Sequence, residues 1–114
     1  MNGYAAYART QNTTENPRHV EYKLLGQVTA ALLQVEEKPN DLHAFMDAVL
    51  WNQSVWSAFL TDLTHEGNRL PRQLKQDLAS LSLWVIRETD RVIERRRGVD
   101  GLINVNRAVM AGLR

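Results

Sequence analysis

The chain has no cysteine. That excludes a disulfide framework, a thiol nucleophile and thiolate metal ligands, and it suits a reducing cytoplasm. It also has no charge surplus. Fourteen Lys and Arg stand against 13 Asp and Glu, a formal charge of +1. Such a balance sets up no strong field for nucleic acid or anionic lipid. No apolar run approaches the ~20 residues that span a bilayer, which argues against a membrane partner. The start, "MNGYAAYARTQNTTENP", lacks the basic and apolar regions of a signal peptide, so the expected location is the cytoplasm. No Gly-rich phosphate loop, nucleophile elbow or cysteine–histidine pair occurs, and no cofactor is implied. The sequence reads as a non-enzyme.

What is present is helical periodicity. The 114 residues are 44% hydrophobic and 24% charged, the make-up of one ordinary globular domain. Residues 1–17 are small, polar and turn-rich and read as a flexible arm. From Arg18 to Glu37 the apolar residues Val20, Leu24, Leu25, Val28, Ala31, Leu32 and Val35 recur at helical spacing. Pro39 and Asn40 stop this first helix. Asn40 or Asp41 caps a second helix, from Asp41 to about Glu66, which Gly67 and Asn68 end. Pro71 opens a third that runs to about Arg97, and Gly98 breaks it. Asp100 can cap a short fourth helix ending at Gly112–Leu113. No segment alternates in the manner of a strand. The predicted fold is all-α: an antiparallel, four-helix bundle-like domain over residues 18–114, preceded by the arm. A looser array with one helix across the others is the alternative.

The stretch "VLWNQSVWSAF" carries two tryptophans five residues apart. At about 100° per residue, they cannot share a helical face. Leu42, Phe45, Val49, Trp56, Leu60 and Leu63 fall within an arc of about 60°, so Trp56 is expected in the core. Trp51 falls on the opposite side, with Ala44, Val55 and Ala58 near it. Trp51 either packs under the arm or a loop, or anchors a partner, a role in which tryptophan is enriched. In the third helix Leu74, Leu78, Leu81, Val85 and Val92 form the expected core stripe. Leu83 points away from it and Trp84 sits at its edge, extending the apolar skirt. Asn52 lies at the edge of the second helix's arc and Asn106 near the centre of the fourth's. A buried amide needs partners, so both are expected to satisfy other polar groups or to fix packing register.

Two charged clusters carry weaker readings. Asp62, His65 and Glu66 could share a metal on one helix face, but no second ligand pair stands near; His43 with Asp47 lies on a distant turn. No metal is expected. Arg95, Arg96 and Arg97 close the third helix, where cations complement the dipole. Their alternative use is contact with an RNA backbone.

From Ala48 onward the elements "AVLWNQSVW", Asp62–Leu63, "NRLPRQL" with Asn68, Leu70, Pro71 and Leu74, "SLSLWV" and the ending "LINVNRAVMAGL" resemble, in order and spacing, the flagellar biosynthesis regulator FlaF family. The resemblance covers about residues 20–113. Lys75 and Gln76 depart from the Arg–Ala pair common in the family. The resemblance implies a small cytoplasmic helical protein that governs flagellin production and export in concert with the regulator FlbT. It suggests a flagellin-binding, chaperone-like role, with flagellin's disordered terminal helical segments laid on apolar surface around Trp51, Val55, Leu83 and Trp84. Asn52, Trp56, Asn68, Pro71 and Asn106 would then maintain the bundle. The alternatives are a regulator contacting flagellin messenger RNA through Arg95, Arg96 and Arg97, and an adaptor acting mainly through FlbT.

Overall fold

The computed structural model describes residues 17–95 and 98–113. They form four helices: α1 (Pro17–Glu37), α2 (Leu42–Thr64), α3 (Arg72–Arg95) and α4 (Asp100–Leu113). The described part is an all-α single domain without a strand. The expected arm, 1–17, lies outside the described residues except for Pro17. That proline opens α1, where its missing N–H costs nothing.

The helix ends have local causes. Lys38 N–H donates to the carbonyls of both Gln34 and Val35, and Asp41 N–H closes a turn onto Lys38 O across Pro39 and Asn40. Asp41 then caps α2, its Oδ1 accepting from Ala44 N–H at 3.0 Å. At the far end α2 stops at Thr64, two residues before the expected Glu66. His65 turns to extended backbone (φ −71°, ψ 138°), and its Nδ1 accepts the Gly67 N–H at 3.0 Å. Asn68 ties this turn: Nδ2 donates to Asp62 O at 3.2 Å and Oδ1 accepts from Leu70 N–H at 3.0 Å. One side chain thus satisfies a last-turn carbonyl of α2 and a loop amide. Pro71 stands immediately before α3, its carbonyl accepting from Lys75 N–H at 3.0 Å. The first bond of α4 runs from Ile103 N–H to Val99 O, so Val99 takes the cap position. Asp100, expected as the cap, is the first helical residue, with its carboxylate in the positive first turn. Gly98 lies between α3 and α4, and a Cβ there would stand 2.8 Å from the exposed Asp100 Oδ1, which would have to move aside.

Packing follows from short connections. α2 lies along α3 and along α1, and α4 folds back onto α1; α3 and α4 meet only slightly. The core is continuous across all four helices. Leu25, Val28, Leu32 and Val35 come from α1, and Ala48, Val49, Val55 and Trp56 from α2. Val85 and Val92 come from α3, and Val99, Leu102 and Ile103 from the α4 end. Ser82 and Thr89 are buried on α3 and bond back to Leu78 O and Val85 O, each at 2.8 Å, so their hydroxyls need no partner from another helix.

Two expected stripes are displaced. On α2 the buried residues are Ala48, Val49, Asn52, Val55, Trp56 and Ala58, while Leu42 is 50% exposed. The buried face is rotated by roughly 60° from the expected arc. α2 has α1 on one side and α3 on another, and a helix between two neighbours buries more than one stripe. On α3, Val85 and Val92 are fully buried, but Leu78 and Leu81 are half-buried and Leu74 is exposed. Among the described residues α4 leans on α1, leaving the first half of α3 with α2 alone beside it.

Candidate functional site

Among the described residues, a polar cluster crosses the interior. Trp56 Nε1 donates to Asn106 Oδ1 at 2.8 Å. Asn106 Nδ2 donates to Asn52 Oδ1 at 2.8 Å and to Thr29 Oγ1 at 3.1 Å. Asn52 and Asn106 are wholly buried, Trp56 and Thr29 nearly so. The four side chains come from α1, α2 and α4 and cross the middle of the core. Trp56 also meets Phe59 edge-on, with ring centroids 5.6 Å apart. Asn52 Nδ2 is buried with no hydrogen-bond partner. Thr29 was not singled out in the sequence; the signal was a hydroxyl directly beside Val28 on the apolar face of α1.

The outer apolar residues are distributed over the surface. Trp51 is 40% exposed beside Leu50 at 43% on α2; Leu83 and Trp84 on α3 are exposed at 43% and 36%. Leu83 and Trp84 diverge by about 100°, as do Leu50 and Trp51, so neither pair forms one patch. Trp84 borders α4: its ring lies 3.6 Å from where a Cβ on Gly101 would stand. Val55 corrects the expected partner surface. It is 5% exposed and belongs to the core, because α2 buries the side of the helix that was assigned to solvent. Gln53 uses the α2–α3 contact instead, donating from Nε2 to Ile86 O at 3.2 Å.

A groove of about 450 Å³ opens at one end of the bundle, lined mainly by Val35, Pro39, Leu42, Phe45, Gly98 and Val99. Leu42 and Phe45, expected as plain core, are its apolar walls. Periodicity could not reveal it, because three separate segments build it.

The charged clusters are open to solvent. Asp62, His65 and Glu66 are exposed, and His43 Nε2 lies 3.3 Å from Asp47 Oδ2 on the exposed first turns of α2. Among the described residues no three His, Asp or Glu side chains converge as metal ligands would. Arg96 and Arg97, and the side chain of Arg95, lie outside the described residues. No described helix is long and apolar enough to cross a membrane.

These features define a small four-helix domain with an amide cluster at its centre and large apolar side chains on its surface. The family model described as "Flagellar protein FlaF" matches residues 4–113, and the chain belongs to that family. The match starts well before residue 20, where the motif resemblance began, and so takes in most of the segment read as an arm. No curated protein matches the chain, and no solved structure does.

Proposed function

We propose that this chain is a cytoplasmic flagellin-binding chaperone and regulator that links flagellin synthesis to export. Two things support the reading: membership of a flagellar family, and Trp51, a large rigid indole left 40% exposed on α2. Flagellin's terminal segments are amphipathic and need an apolar surface before assembly. A helix laid against Trp51 would shield them in the helix-on-surface mode of recognition, with Leu83 and Trp84 as separate further points of contact. Val55 has no part in this surface.

Isothermal titration calorimetry of the chain with purified flagellin, at low and at high salt, tests the reading. Binding that persists at high salt with a negative heat-capacity change is the expected result. Absence of binding overturns it. Capture of flagellin messenger RNA that falls steeply with salt would put the alternative through Arg95, Arg96 and Arg97 first.

A further inference from the structure

Asn106 lies amid the inward face of α4, among Leu102, Ile103, Val105, Val109 and Met110. Every one of these neighbours is apolar. On α1 the positions that meet α4 include Gly26 and Thr29, and Leu25, Val28 and Leu32 belong to the same buried cluster. Met110 Cε reaches to 3.5 Å from where a Cβ on Gly26 would stand. The burial term in such contacts is non-directional, so it separates one register from the next less sharply than a directional hydrogen bond does. Sliding α4 by one turn, about 5.4 Å, would replace one apolar residue by another. α3 adds little restraint, since it meets α4 only slightly, with Trp84 and Glu88 beside Gly101.

The amide behaves differently. The indole N–H of Trp56 can only donate, so Asn106 must turn Oδ1 toward it. Nδ2 of the same amide is thereby aimed at Thr29 and Asn52, and Asn52 must turn its own Oδ1 to meet it. The order of donors and acceptors runs one way through three helices. It ends on Asn52 Nδ2, buried with nothing to accept from it. A slipped α4 would strand the indole and both amides together. The orphan donor also argues against stability as the cluster's main contribution, since a half-satisfied buried network is worse than an apolar one.

We propose that the Trp56–Asn106–Asn52–Thr29 cluster is a register lock, which selects a single placement of α4 on α1 and α2 while adding little net stability. The test is a variant in which the cluster is made apolar, Thr29→Val with Asn52→Leu, Trp56→Phe and Asn106→Leu, set beside Val85→Ala, which destabilises the core without touching the cluster. The readout is the amide spectrum of residues 100–113 and the nuclear Overhauser contact between the Met110 methyl and Gly26. The apolar variant should fold as helix but give more than one set of α4 resonances and lose the unique Met110–Gly26 contact. Val85→Ala should keep one set and the contact. A single set with the contact retained in the apolar variant overturns the lock, as does equal loss in Val85→Ala. If the apolar variant does not fold, Asn106→Leu alone decides by the same two signals: multiple sets support the lock and a single set with the contact overturns it.

Discussion

The indole N–H of Trp56 and the side-chain oxygen of Asn106 meet at 2.8 Å across 50 positions of sequence, and this bond holds α4 to α2. Removing the acceptor should be costly. Asn106→Ala strands the indole and leaves the whole Asn52 amide without a partner, in a site closed to water. A loss of ~2–5 kcal/mol is expected, since each stranded buried group costs ~1–3 kcal/mol. Urea unfolding followed by tryptophan fluorescence measures it. A change below ~1 kcal/mol would mean that the amide cluster contributes no more than ordinary surface polarity.

The two tryptophans should separate stability from binding. Trp56→Ala empties the core and should cost ~3–5 kcal/mol. Trp51→Ala, at a position 40% exposed, should cost ~1 kcal/mol or less and weaken flagellin binding by ~2 kcal/mol. Melting curves together with calorimetry against flagellin distinguish these outcomes. Should Trp51→Ala melt as low as Trp56→Ala, the α2 surface is core and the partner face shifts to Leu83 and Trp84.

Asn68 carries two bonds in the α2–α3 turn, to Asp62 O and from Leu70 N–H. Asn68→Ala should cost ~0.5–1.5 kcal/mol, a normal net value for a partly exposed site. The Leu70 amide should exchange with solvent faster than in the parent, and an unchanged Leu70 rate would count against this role.

Asp41 is the N-cap of α2. Asp41→Ala should lower stability by ~1 kcal/mol, while Asp41→Asn, which keeps an oxygen for Ala44 N–H, should recover most of it. Thermal melts of the two variants side by side check the order.

Changing Arg95, Arg96 and Arg97 together to Gln should lower stability by at most ~1 kcal/mol and leave flagellin binding intact. If this triple variant instead abolishes a gel shift of flagellin messenger RNA, the RNA reading moves ahead.

Where the determinants were local, the sequence alone settled the structure. Asp41 and Pro71 mark helix boundaries because each acts on its own backbone or the next turn, whereas Pro17, read as the end of the arm, is the first residue of α1. Trp56 was legible as core because it shares a helical face with Val49. Val55 and Trp51 show the limit. They are separated by only about 40° on α2, yet one is buried and the other exposed. Periodicity assumes one neighbour per helix, while α2 has two. The need of Asn106 for a partner was likewise readable from its place among apolar residues. That the partners are Trp56, Asn52 and Thr29 was decided only by docking α4 against α1 and α2, because a hydrogen bond across 50 or 77 residues exists only once those helices are packed.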